Sequence, residues 1–221
     1  MIFEDRESAG RKLAEVLREK IRLENKPLIL AIPRGGIPVA YALAKELRVP
    51  MSVVVVRKLG LPWNEEAGFG AVDPDGHTYL DEETVRYAGL DRETIRRIAE
   101  KELEELRKRE EKFLPRGYPD VRGREVVVVD DGVATGYTAI AAAGFARKRG
   151  AKKVLVAVPV CPADASGRFG DSADEFVCFY PSDKPGFAVG MFYRDFHQLS
   201  DEETLSYLKR AEQEGLLEPG G

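Results

Sequence analysis

Residues 126–138 of this chain have the sequence VVVVDDGVATGYT. The four valines are typical of a central parallel strand that is buried on both faces. Asp130 and Asp131 follow at the predicted carboxyl end of that strand, where open α/β sheets bind their ligands. The chain then turns into a predicted helix whose start, at residues 135–138, offers free backbone N–H groups, two hydroxyls and a glycine. The stretch therefore predicts acids for sugar hydroxyls or a metal-bound diol, with a phosphate-binding helix start beside them.

The hydrophobic run, the two acids and the A-T-G-x-T that follows resemble the binding signature of type I phosphoribosyltransferases, which use phosphoribosyl pyrophosphate. The resemblance extends over the whole of residues 126–138. For these residues alone, the alternative is a strand-to-helix turn in which Asp-Gly supplies the turn chemistry. Two adjacent acids repel each other, so they favour a ligand site. The same repulsion predicts that Asp131→Asn leaves the free protein as stable as before, or slightly more stable.

The resemblance implies one α/β domain over residues 1–221, with a central parallel sheet and helices on both faces. An inserted flap and long helix are expected within residues 60–124, and a small C-terminal hood within residues 180–200. Outside the signature, the sequence predicts helices at 6–24, 38–47, 91–114 and about 137–149, a last helix after Ser200, and strands at 28–32, 52–56, 154–160 and 175–178. A hairpin is expected between residues 69–72 and 77–80, and a short, weak helix at 163–173.

Composition limits the classes of partner. The net charge of −4 gives no general basic field for nucleic acid. No apolar run reaches the length of a membrane span, and the first residues do not resemble a signal peptide, so we expect a cytoplasmic protein that does not bind membranes. Cys161 and Cys178 lack metal-ligand spacing and are interpreted as core residues.

A second strand–loop–helix unit contains the loop Pro33-Arg34-Gly35-Gly36. Paired glycines allow several backbone N–H groups to point at one anion, and Arg34 adds positive charge. The alternative is a tight turn with an exposed arginine. In type I phosphoribosyltransferases the equivalent loop binds pyrophosphate and often contains a cis peptide bond without proline.

Two cations, Arg57 and Lys58, follow the predicted strand at 52–56. An arginine can bind pyrophosphate in bidentate fashion and a lysine acts as a point charge, although such a dipeptide is often only solvated. Glycines make residues 60–70 the expected mobile flap. Trp63 within it covers a ligand or packs on the long helix. The charge run at 100–112 is interpreted as mostly a solvated helix face.

The resemblance assigns the remaining roles. Mg²⁺ is expected to bind mainly through the substrate, with Asp130 and Asp131 as its candidate protein contacts. The expected catalytic residues are Asp130, Asp131, Arg57 and Lys58. The expected substrate-binding residues are Arg34, Gly35, Gly36, Ala134, Thr135, Gly136, Tyr137, Thr138 and Phe187.

The acceptor stays open. In family members that act on 6-oxopurines, an acid occupies the position of Ala134, whereas adenine- and orotate-type members have alanine there, as this chain does. Residues 187–190 (FAVG) resemble the hood of purine members, where an aromatic ring stacks on the base, but Phe187 is equally compatible with the core.

We therefore expect a phosphoribosyltransferase that moves the phosphoribosyl group to a small nitrogenous acceptor and releases pyrophosphate. The resemblance favours a nucleobase as that acceptor. The alternative is a regulatory protein that binds the donor or a nucleotide without turnover. A homo-oligomer is compatible with either function.

Overall fold

A computed structural model describes residues 2–221 of the chain and contains two β-sheets. The strands are β1 (Leu28–Ala31), β2 (Met51–Val53), β3 (Arg57–Leu61), β4 (Asn64–Val72), β5 (Thr78–Leu80), β6 (Glu125–Val129), β7 (Lys153–Pro162) and β8 (Glu175–Ser182). The helices are α1 (Arg6–Leu17), α2 (Gly36–Leu47), α3 (Glu82–Ala88), α4 (Arg92–Phe113), α5 (Tyr137–Lys148) and α6 (Asp201–Gln213).

The larger sheet is parallel, with the strand order β2-β1-β6-β7-β8. β6 is its central strand, and all four valines of residues 126–129 are fully buried. The expectation of a central strand buried on both faces is thus confirmed. Because the five strands run in parallel, their carboxyl ends lie at one edge of the sheet and bring the chain segments that follow them close together.

Helices cover both faces of this sheet, as the sequence predicts. On β1, Ile29 and Ala31 pack into a core with α1 and α2, whereas Leu28 and Leu30 pack into a second core with α5. Alternation along a strand sends successive side chains to opposite faces, so β1 contributes to both cores. The fold is α/β with a central parallel sheet.

The smaller sheet is antiparallel and contains β3, β4 and β5. The turn between β4 and β5 forms as expected, with the N–H of Gly76 donating to the carbonyl of Asp73 at 3.0 Å. Arg57 and Lys58 were expected directly after a strand at residues 52–56, and this expectation is wrong. β2 ends at Val53, and Arg57 and Lys58 are the first two residues of β3.

Several boundaries differ from the sequence expectations. Helix α1 ends at Leu17, and of residues 18–24 only Ile21 packs against the core. Helix α3 was not predicted, although Asp81 caps it and Gly89 ends it in a left-handed conformation. Residues 163–173 form two short 3₁₀ turns instead of one weak helix. None of the helices within residues 2–221 combines the length and the apolarity that crossing a membrane requires.

Candidate functional site

Asp130 and Asp131 follow the carboxyl end of β6 but have different partners. The Asp131 carboxylate accepts a hydrogen bond from the Nε of Arg6 at 3.0 Å, and its backbone carbonyl accepts one from the Tyr193 hydroxyl at 2.6 Å. Arg6 also donates to the carbonyl of His197 at 2.9 Å. The ion pair between α1 and the signature fixes Asp131 in place, and sequence patterns alone gave no indication of it.

Asp130 has no salt-bridge partner among residues 2–221, and its carboxylate accepts one bond, from the N–H of Asp131 at 2.8 Å. Burial raises the pKa of Asp130 well above its usual range, and the negative charge of Asp131 raises it further. Burial also raises the pKa of Asp131, while the positive charge of Arg6 opposes that rise. The pair therefore holds a proton readily, and a cation or the hydroxyls of a sugar would favour its release.

The start of α5 has the features of an anion site. Gly136 adopts a left-handed conformation with φ of 92°, and no side chain caps the helix. Free N–H groups at residues 135–138 therefore remain available to an anion. The Tyr137 hydroxyl donates to Asp81 at 2.9 Å, so this side chain joins the signature to the start of α3. Thr135 is exposed, and Thr138 lines a cavity described below.

The glycine loop before α2 lies against the same strand. The Pro33–Arg34 peptide bond is cis, in agreement with the resemblance. A Cβ atom at Gly36 would lie 2.7 Å from the carbonyl oxygen of Val129, and one at Gly35 would collide with the Asp131 carboxylate. Only glycine permits this close approach of the loop to the acids. Arg34 forms a salt bridge of 3.5 Å with Asp201 at the start of α6.

A cavity of about 550 Å³ lies between Asp130, β3 and α4. Arg57, Lys58 and Thr138 line it, so the structure brings these predicted residues together with Asp130. Arg57 is paired with Glu102 of α4 at 2.9 Å, and the Lys58 ammonium donates to the carbonyl of Glu66 at 2.7 Å. Helix α4 contributes further charged side chains to the wall of the cavity: Lys101, Glu102 and Arg109. The interpretation of residues 100–112 as a mostly solvated face missed these three.

The β3–β4 hairpin corresponds to the expected flap. Its strands are joined by a tight turn, and Trp63 at the tip is 66% exposed, so the alternative in which Trp63 packs on the long helix is wrong. The glycines have a packing role here: a Cβ atom at Gly60 or at Gly70 would collide with the backbone of the neighbouring strand. Whether the hairpin moves stays a prediction.

On the other side of the signature, Ala134 is exposed, and its carbonyl accepts a hydrogen bond from Arg168. Arg168 also pairs with Asp164 at 3.1 Å and lines a second cavity, of about 670 Å³, with Thr135. This cation beside the helix start was missed, because it lies in a loop after β7 that carries no recognisable motif.

The expected hood touches the signature through residues other than Phe187. The Val189 side chain packs so closely on Gly132 that a Cβ atom there would collide with it. Phe187 stacks on Phe192 with 5.3 Å between ring centroids and packs against the cluster that contains Phe3 and Tyr193. One face of the Phe187 ring is therefore covered, and an acceptor base could stack only on the other.

Comparisons with known proteins identify the family of this chain. The sequence pattern of the phosphoribosyl transferase domain matches residues 2–195. The chain belongs to this family. A Mycobacterium tuberculosis protein, Rv0571c, named provisionally as a phosphoribosyl transferase, is 45% identical over 212 residues, which cover 95% of this chain and 47% of that protein. The chain thus spans about half the length of the curated relatives it matches.

The chain also resembles solved structures. TT1426 from Thermus thermophilus is 38% identical, with a TM-score of 0.78, and the match covers 95% of this chain and 99% of that one. The AQ2163 protein from Aquifex aeolicus is 12% identical with a TM-score of 0.50, and the match covers 80% of this chain and 74% of that one. The second likeness shows a common fold alone.

Members of the family typically use Mg²⁺, an ion that prefers oxygen ligands. Within residues 2–221, no cluster of three or more metal-ligating side chains is present. Asp130 and Asp131 supply hard carboxylate oxygens, and of the two only Asp131 has a salt-bridge partner, Arg6, among residues 2–221. Mg²⁺ commonly takes one or two carboxylates and completes its coordination with substrate phosphates and water. The acid pair fits an ion held in that way.

Proposed function

We propose that the protein is a Mg²⁺-dependent phosphoribosyltransferase that transfers the 5-phosphoribosyl group from phosphoribosyl pyrophosphate to a nitrogen atom of a small acceptor. The observation that carries the proposal is the placement of the acid pair. Asp130 shares a cavity with Arg57 and Lys58, while the uncapped start of α5 follows a few residues along the chain. Acids flanked by two anion-binding features match a sugar that bears a phosphate at one end and a pyrophosphate at the other.

Each part of the donor then has a partner. Asp130 and Asp131 hold the ribose hydroxyls, and residues 135–138 hold the 5-phosphate. The pyrophosphate is bound by the loop at 34–36 together with Arg57 and Lys58. When bound, Mg²⁺ would neutralise charge on the pyrophosphate and so make it a better leaving group.

The bond between C1 of the ribose and the pyrophosphate oxygen breaks, and its electron pair leaves with the pyrophosphate. The lone pair of the acceptor nitrogen forms the new bond to C1, and the proton of that nitrogen passes to solvent or to a base. No covalent enzyme intermediate is needed. Catalysis comes from positioning the two reactants and from stabilising the charge of the leaving group.

The acceptor class follows from two positions. Alanine at position 134 cannot accept a proton from a ring nitrogen, so the acceptor does not depend on an acid there. The free face of Phe187 can stack on a flat base, which is worth about 1–3 kcal/mol. We therefore propose a flat nitrogenous base other than a 6-oxopurine. Efficient conversion of hypoxanthine or guanine by the native protein would contradict this choice.

Donor binding can be tested by thermal unfolding. At about one hundred times its dissociation constant, phosphoribosyl pyrophosphate with Mg²⁺ should stabilise the fold by roughly 2.7 kcal/mol. In a chain of this length, the melting temperature should rise by about 5–10 °C. An unchanged melting temperature at millimolar donor, in folded protein, would refute the proposal.

Turnover is tested by following pyrophosphate release across a panel of nucleobases, with donor and Mg²⁺ present. Release that depends on one base would support the transferase and name its acceptor. Donor binding without release for any base would favour the alternative, a protein that binds phosphoribosyl pyrophosphate without transferring it. One observation favours that alternative: Trp63 at the hairpin tip is 66% exposed, and a tip exposed to solvent does not shield a reaction from water.

A further inference from the structure

Helix α4 presents one charged stripe to the cavity beside Asp130. Ile98, Lys101, Glu102 and Arg109 all line that cavity. Their spacings of three, four, seven and eight residues place them on one side of the helix. The stripe faces Arg57 of β3, which Glu102 binds at 2.9 Å. Helix α4 therefore forms a wall of the proposed pyrophosphate site.

Arg109 differs from the other arginines around the site. Arg57 is paired with Glu102 and Arg34 with Asp201, whereas Arg109 is partly buried and has no salt-bridge partner among residues 2–221. Burial lowers the pKa of the Arg109 guanidinium, and the positive charges of Arg57 and Arg34 lower it further. An arginine nevertheless stays protonated at neutral pH, so the fold bears a cost for keeping this charge in place.

The charges that line the cavity favour a compact polyanion. The cavity is lined by four cationic and three acidic side chains: Arg57, Lys58, Lys101 and Arg109, and Glu65, Glu102 and Asp130. Glu102 is already engaged by Arg57. A guanidinium binds phosphate oxygens in bidentate fashion, and pyrophosphate offers enough oxygens for several such contacts.

We propose that Arg109 binds the pyrophosphate group of the donor directly, so that α4 supplies a third guanidinium beside Arg34 and Arg57. The inference rests on the proposed function, because it uses the same donor and the same cavity. It adds a binding residue from a helix that lies outside the signature, outside the loop at 34–36 and outside β3.

The experiment measures binding of two probes by calorimetry, inorganic pyrophosphate with Mg²⁺ and ribose 5-phosphate. It compares the native protein with Arg109→Gln, Arg109→Lys and Lys108→Gln. Lys108 is the matched control, because it carries the same charge on the same helix but is 68% exposed in its side chain and pairs with Glu105 at 3.1 Å. Melting temperatures of all four proteins are recorded in parallel.

We expect Arg109→Gln to weaken pyrophosphate binding about tenfold or more, as loss of a charge-assisted contact does. Its affinity for ribose 5-phosphate should stay within about twofold of the native value, and its melting temperature should be unchanged or higher, since repulsion among the guanidiniums is relieved. Arg109→Lys should retain part of the pyrophosphate affinity, and Lys108→Gln should retain nearly all of it.

Other outcomes would overturn the inference. Native pyrophosphate affinity in Arg109→Gln would remove Arg109 from the site while leaving the proposed function intact. Equal weakening of both probes, together with a lower melting temperature and no recovery in Arg109→Lys, would mark Arg109 as a structural residue. A native protein that binds neither probe would overturn the proposed function along with the inference.

Discussion

At the scale of single residues, the two acids of the signature have opposite surroundings. Asp131 is paired with the nearly buried Arg6, whereas Asp130 has no salt-bridge partner among residues 2–221. Repulsion alone predicted that Asp131→Asn would leave the free protein as stable as before, but the ion pair with Arg6 reverses that expectation. Asp131→Asn relieves the cost of burying the Asp131 charge, but it leaves the nearly buried Arg6 charge without its carboxylate, and we expect that loss to outweigh the relief. The free energy of unfolding should therefore fall by about 1–3 kcal/mol. Urea unfolding at neutral pH measures this loss, and a variant as stable as the native protein would show that the pair adds nothing.

Asp130→Asn should have the opposite effect. Burial and the charge of Asp131 raise the pKa of Asp130 in the folded protein. Protonation of Asp130 therefore stabilises the folded protein relative to the unfolded chain. This stabilisation is fully present below the unfolded pKa of about 3.9, and it is lost as the pH rises through the pKa of Asp130 in the folded protein. Asp130→Asn should therefore match the native protein at acidic pH and exceed its stability at neutral pH. Unfolding measured over a pH series tests this, and a less stable Asp130→Asn at neutral pH would contradict it.

At the scale of helices and strands, the sequence predicted the central elements well, because their patterns report burial directly. The valines of β6 had to lie in a sheet covered on both faces, and the glycines at 35–36 had to allow a close approach. The sequence predicted α4 as a helix but did not predict what its charged residues face. Helical spacing shows which side chains share one side of a helix, but it does not show what packs against that side. No sequence pattern predicted Arg168, because its contact with the carbonyl of Ala134 depends on how the segment after β7 folds back towards the start of α5.

The β3–β4 hairpin gives an element-scale prediction. Trp63 at its tip is 66% exposed, and the chain contains a single tryptophan, so intrinsic fluorescence reports on this tip alone. If the hairpin closes over the site, donor and an acceptor analogue together should shift the emission to shorter wavelength and reduce quenching by acrylamide. Ribose 5-phosphate is the control, because it supplies the sugar and the 5-phosphate but neither the pyrophosphate nor the acceptor. Unchanged emission and quenching, with binding shown by calorimetry, would mean that the hairpin does not close.

At the scale of the whole molecule, ion pairs join the proposed site to distant parts of the chain. Arg6 of α1 holds Asp131, and Asp201 of α6 is bound by Arg34 at 3.5 Å and by Lys112 at 2.7 Å. These contacts connect the first helix, the last helix and α4 to two loops at the carboxyl edge of the parallel sheet. If the donor binds as proposed, its pyrophosphate competes with the Asp201 carboxylate for Arg34.

Asp201→Asn tests that competition. Without the Asp201 charge, Arg34 is free for the pyrophosphate, and the donor should bind about 1.5- to 5-fold more tightly, the range expected for one exposed ion pair. Glu202→Gln is the matched control, because it removes one negative charge from the same first turn of α6 without touching Arg34. Both variants should lose a similar interaction with the helix dipole, about 0.3–1 kcal/mol of stability, so a difference between them in donor affinity reports on the two cations that Asp201 binds, Arg34 and Lys112. Equal donor affinity in the two variants, measured by calorimetry at low salt, would show that Arg34 reaches the pyrophosphate without leaving Asp201 or does not reach it at all.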